Sequence, residues 1–153
     1  MEKKMKDESE GFSGNEGRPS KFFTVDEAND LIPVLEDRLK ECDRILLDIR
    51  AVAELTEDLE WYWGESIRDD ANPDRQEYLK LEKEKSSRID RWNEAIREIG
   101  KLGVEIKNPD MGLIDFYSVR DNQVVFLCWQ RGEPEVRYWH TLEGGYNGRR
   151  PLE

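Results

Sequence analysis

Five polar residues near the C-terminal end have the types that carry chemistry: Asp115, Cys128, Glu133, His140 and Arg149. A thiol, an imidazole and one or two carboxylates can bind Zn²⁺ or another transition metal. Cys128 would then be the thiolate ligand, His140 the imidazole ligand, and Asp115 or Glu133 the oxygen ligand. The spacing of Cys128, Glu133 and His140 matches no established ligand signature, and no CxxC is present. Each residue also has an ordinary structural role, which the sequence favours. A carboxylate in an apolar strand usually pairs with an arginine, so Asp115 is expected to meet Arg137 or Arg149. Cys128 suits a small core position, and His140, the sole histidine, suits a local hydrogen bond. Nucleophilic catalysis by Cys128 would require His140 within about 3 Å and a depressed thiol pKa. Ser118, in mid-strand, is a poor serine nucleophile. The run Gly144 to Arg150 mixes glycines with arginines and could receive an anion, but a loop whose Arg149 folds back on Asp115 is the simpler reading. No cofactor is implied, and a non-catalytic role is expected.

These residues must be positioned by what precedes them. Phe23-Thr24-Val25-Asp26-Glu27 opens a helix. Thr24 and Glu27 form a capping box, Phe23 can staple onto Ala28, and Asp26 and Glu27 suit the positive end of the helix dipole. Apolar residues follow at Ala28, Ile32, Leu35, Leu39, Cys42, Leu46, Ile49 and Ala53. This heptad spacing indicates a long helix packed on another helix, and Pro33 should kink it. The first helix is expected over 25–63, ending at the aromatic run Trp61-Tyr62-Trp63. Asn72-Pro73 starts a second helix over 73–102, closed by Gly103. The short connection makes an antiparallel hairpin. The second helix has a weak seam at Lys85, Ser86 and Ser87, which leaves homodimeric pairing of the first helix open.

From Gly103 the hydrophobic period becomes two, giving strands over 113–120, 124–130 and 136–140, with Val104-Glu105-Ile106 as a possible short edge strand. Asp121-Asn122 suits a two-residue hairpin turn and pairs Asp115 with Cys128. An even loop at Arg131-Gly132-Glu133-Pro134 then sets Arg137 beside Cys128, with His140 on the opposite face among Val125, Leu127, Trp129 and Tyr138. An odd loop would flip the third strand and move His140 to the Asp115 face. The even loop is the expectation. The fold class is therefore α+β: a long antiparallel helical hairpin followed by a three-stranded antiparallel β-meander. Residues 1–20, poor in large apolar side chains, read as a disordered tail before a single domain over 21–153.

Composition narrows the function classes. The 153 residues carry 24 Lys+Arg against 35 Asp+Glu, a formal net charge of -11. This excess counts against nucleic acid and anionic membranes as partners. The aromatic residues of the sheet are better explained by core packing than by base stacking. The charged share of 39% exceeds the apolar share of 37%, which suits solvent-facing helices. No apolar run is long enough for a membrane span. The N-terminus lacks an apolar signal-peptide core, and two cysteines make no disulfide framework, so a reduced cytoplasmic chain is expected. Residues 54–77 hold nine acidic and two basic side chains, so the acidity concentrates at the hairpin tip beside Trp61, Tyr62 and Trp63. A solvated turn is the ordinary reading of that tip, and a basic partner is the alternative.

Two groups of residues carry a family resemblance. One is Phe23-Thr24-Val25-Asp26-Glu27-Ala28-Asn29 with Leu31-Ile32-Pro33. The other is Gly103-Val104-Glu105-Ile106-Lys107, Gly112-Leu113-Ile114-Asp115-Phe116, Leu127-Cys128-Trp129, Gly132-Glu133, Trp139-His140 and Gly148-Arg149-Arg150-Pro151. Together they resemble an uncharacterised bacterial and plastid family defined by a domain of unknown function, over about 22–151. The resemblance implies a small soluble domain with a helical hairpin and a C-terminal meander, and brings no reaction with it. The functional expectation is a cytosolic protein-interaction or homo-oligomeric module, with a small-ligand or metal site at the five polar residues as the alternative.

Overall fold

The computed structural model of the chain describes residues 19–153. The expected tail therefore lies, but for its last two residues, outside the described residues. The architecture is α+β: two long helices and a five-stranded antiparallel sheet. The helices are α1, Val25–Trp63, and α2, Arg75–Gly100. The strands are β1, Glu105–Asn108; β2, Leu113–Arg120; β3, Gln123–Gln130; β4, Tyr138–Thr141; and β5, Arg150–Pro151. Strand order follows chain order, and this places the three middle strands side by side. Two of the five exceed the expected meander. β1 is the edge strand that the sequence allowed, and β5 forms at the end of the glycine–arginine run read as a loop. The chain divides into two compact units. One holds the described residues up to Leu39 together with Ile96–Glu153, and the other is Lys40–Ala95.

In the sheet-bearing unit, the capping box is complete. The Thr24 amide donates to Glu27 Oε1 and the Glu27 amide to Thr24 Oγ1, both at 3.1 Å. These bonds hold the Glu27 carboxyl below its ordinary range, and Lys21 adds to the effect. Thr24→Ala is expected to cost about 1 kcal/mol in chemical denaturation; an unchanged midpoint would contradict this cap. Phe23 is anchored just ahead of the helix. Its ring meets Phe116 edge-on at 5.2 Å, its amide donates to the Tyr117 carbonyl, and its own carbonyl accepts from the Ser118 hydroxyl. Buried Ala28, Ile32, Leu35 and Leu39 follow at the expected heptad spacing. The sheet face that carries Ile114, Phe116, Leu127 and Trp129 adds to this core, as do Ile96 and Ile99 at the end of α2.

In the other unit, residues 40–63 of α1 run antiparallel to residues 75–95 of α2. The Tyr78 hydroxyl donates to Glu60 at 2.6 Å and Arg88 to the Asp48 carbonyl at 2.9 Å. Here the buried stripe is Cys42, Ile45, Val52 and Thr56. It departs from the expected Leu46 and Ala53 because this stretch faces α2, whereas residues 25–39 belong with the sheet. Between Leu81 and Ile96 no α2 residue is fully buried, as the Lys85-Ser86-Ser87 seam suggested. The helix starts at Arg75, two residues after Pro73, because the Asn72 side chain first caps the Asp74 amide at 2.8 Å. It ends at Gly100 rather than 102. The connection contains a short 3-10 turn, Gly64–Arg68.

Candidate functional site

The β2–β3 hairpin turns where the sequence predicts. Asp121 and Asn122 have φ of 51° and 63°, the left-handed values of a two-residue turn. Arg120 then opposes Gln123, and Asp115 opposes Cys128. The next turn overturns the expected register. Cys128 pairs with Tyr138, not Arg137, and Phe126 with His140. The connection is the longer, odd loop 131–137, held by contacts within the turn and by one from α1. Glu133 folds back so that its Oε1 accepts from the Gln130 amide, while its carbonyl accepts from the Trp129 indole at 2.9 Å. Val136, expected in the third strand, donates its amide to Asn29 Oδ1 on α1 instead of to the ladder. One residue of slip exchanges the faces of a strand, so Tyr138 and His140 join Asp115, Tyr117, Phe126 and Cys128 on the face opposite Phe116.

The result is a buried polar cluster. Asp115, Cys128 and His140 are 1%, 0% and 2% exposed. One ligand-type atom from each lies within 4.8 Å of the others. His140 Nε2 is 2.9 Å from Asp115 Oδ2, and its Nδ1 is 2.6 Å from the Thr141 carbonyl. That carbonyl can only accept, so Nδ1 carries a proton and Nε2 is the nitrogen presented to Asp115. Asp115 Oδ1 is buried without a hydrogen-bond partner, and an unsatisfied buried carboxylate oxygen is costly. The expected partner of Asp115, Arg137 or Arg149, is replaced by His140: Arg137 pairs with Glu135 and Arg149 with Glu133. These last two candidates form a neighbouring ion pair. Arg149 reaches the Cys128 carbonyl at 3.3 Å and stacks over the Tyr138 and Tyr146 rings at 4.1 and 4.9 Å. Sequence reasoning missed that Arg149 answers Glu133; a Glu sharing a loop with the glycine after β3 gave no period to follow.

The electrostatics separate two chemistries. Burial, then the adjacent Asp115 charge, pushes the Cys128 thiol up to about 12, against an opposing pull from Arg149. A thiol so rarely ionised is a poor free nucleophile. Both ring nitrogens of His140 are engaged elsewhere, Nε2 by Asp115 and Nδ1 by the Thr141 carbonyl, so His140 is not poised as a general base for Cys128. His140 behaves differently. Burial works against its charged form, but the Asp115 hydrogen bond and charge, with the Thr141 carbonyl, outweigh it and raise its pKa above the ordinary value. Its contribution to metal-free stability is therefore fully present below about pH 6.5 and is lost as pH rises through the raised folded pKa. Because the chain has one histidine, proton NMR can follow its ring alone. The metal-free ring is expected to titrate above pH 6.5, and an ordinary or lower midpoint would contradict the Asp115 pairing.

An α+β domain with an Asp–Cys–His cluster sealed on one sheet face is thus the class that fold and site define. The chain belongs to the family described as an uncharacterised conserved protein, DUF2203, whose model matches residues 21–152. No curated protein and no solved structure matches it. Among the described residues no helix is long and apolar enough to cross a membrane.

Proposed function

We propose that this domain binds one transition-metal ion through Asp115, Cys128 and His140, and that the ion has a structural rather than a catalytic role. The observation that carries the reading is the convergence of three fully buried ligand-type side chains within 4.8 Å, with one carboxylate oxygen left unpartnered. A tetrahedral zinc ion with bonds of about 2.0–2.3 Å needs ligand atoms roughly 3.3–3.6 Å apart. A contraction of about 1 Å brings the widest pair into range. The Nδ1 contact to Thr141 is the outer hydrogen bond that fixes a ligating imidazole with its other nitrogen toward the ion. Charge also fits: a thiolate and a carboxylate neutralise a divalent cation, and the adjacent Arg149–Glu133 pair is neutral by itself. Three protein ligands leave a fourth position for water, but burial of all three disfavours turnover of a substrate.

Loading displaces the thiol proton and, while the ring is charged, an imidazolium proton. Zinc affinity is therefore expected to rise about tenfold per pH unit from the thiol alone, and about a hundredfold where both protons leave. Calorimetric titration with Zn²⁺ at several pH values checks this; an affinity flat with pH would exclude Cys128 as a ligand.

A second reading, a protein-interaction or homo-oligomeric module in the cytoplasm, is compatible with a metal-braced fold. It is supported by the outer stripe of α1, where Leu47, Leu55, Trp61 and Tyr62 are all more than half exposed. Light scattering across a concentration series tests the homo-oligomeric form, and a monomer mass throughout removes it.

A further inference from the structure

The end of α1 carries an aromatic and acidic surface. Trp61 is 87% exposed and Tyr62 71%, values unusual for such large apolar rings. Leu47, Ala51, Leu55 and Tyr62 recur every turn or two on one stripe of the helix, with Trp61 beside it. Exposed Glu54, Glu57, Asp58 and Glu65 surround these residues. The Tyr62 ring is held in place through its neighbour Trp63. Tyr62 meets Trp63 edge-on at 4.9 Å, and the Trp63 indole is fixed by a 2.8 Å hydrogen bond to Asp74.

We infer that this tip is a docking surface for a cationic, Lys/Arg-rich peptide segment of a partner protein, an inference that rests on the interaction reading above. The occupant follows from charge. Residues 54–77 hold nine acidic side chains against Arg68 and Arg75, and both arginines are already engaged. Arg68 pairs with Glu82 and lies over the Tyr78 ring. Arg75 binds the Arg68 carbonyl and lies 3.8 Å from Asp70. The surface therefore offers carboxylates and open π faces together, and that combination recognises guanidinium and ammonium groups. A second copy is the less suitable occupant, since two such tips repel each other across an interface that excludes screening ions.

The test uses the full chain with a fluorescent nine-residue oligo-arginine peptide, oligo-glutamate as control, and light scattering in parallel. Oligo-arginine is expected to bind, more weakly at high salt, and the Trp61→Ala/Tyr62→Ala double variant to bind about tenfold more weakly with every charge retained. Equal binding by the double variant would overturn the inference, leaving only general attraction between opposite charges. If oligo-arginine fails to bind but the chain dimerises through Trp61, the partner class is wrong and the interaction reading stands. If it neither binds peptide nor associates, both fall.

Discussion

Asp115→Ala is expected to destabilise the metal-free protein by about 3–5 kcal/mol, the range for removing one partner of a buried pair. Both side chains of the Asp115–His140 pair are 2% exposed, so the pair is shielded from bulk water. His140 then loses the interaction that raises its pKa, and its Nε2 is left buried without a partner. Part of the loss is recovered if the ring becomes neutral, and this recovery gives the prediction a second readout: the histidine NMR midpoint must fall in the same variant. Asp115→Asn keeps an acceptor for Nε2 but not the charge, and is expected to cost less, about 1–3 kcal/mol. Urea denaturation measures both. A loss below about 1 kcal/mol for Asp115→Ala would mean that the pair does not hold the sheet face together.

The second large effect is the stabilisation produced by the ion. At a free zinc concentration a thousand times the dissociation constant, the gain is about 4 kcal/mol. For a chain of this length that raises the midpoint of thermal unfolding by roughly 8–16 °C. Cys128→Ser and His140→Gln each remove a ligand and are expected to abolish most of this gain. The difference with and without zinc is the quantity to compare. His140→Gln also breaks the pair with Asp115, so its metal-free stability falls for a separate reason. A zinc-dependent gain that survives in both variants would place the ion elsewhere.

The sequence disclosed what local rules determine. Thr24 and Glu27 cap one another as their spacing required. Asp121-Asn122 forms the tight turn, and that turn fixed Asp115 opposite Cys128. The heptad of α1 was legible as far as Cys42 and then moved to Ile45 and Val52, because a repeat says that a face is buried but not against what. The decisive error was one residue of register at β4. The even loop that the sequence suggests puts Cys128 and His140 on opposite faces, where they cannot act together. The parity of that loop depends on Glu133 turning back to Gln130 and on Asn29, more than a hundred residues earlier, capturing the Val136 amide. The first is a short-range contact that no turn signature marks, and the second lies beyond any local pattern. β5 was illegible for another reason: two residues, one a proline, give no alternation to read.

The central claim, an ion held by Asp115, Cys128 and His140, is tested most directly by elemental analysis of protein purified without an affinity tag. One equivalent of a transition metal per chain is expected, falling to background in Cys128→Ser. Substoichiometric content for every transition metal in the unaltered chain, persisting after incubation with zinc and removal of excess, would contradict it.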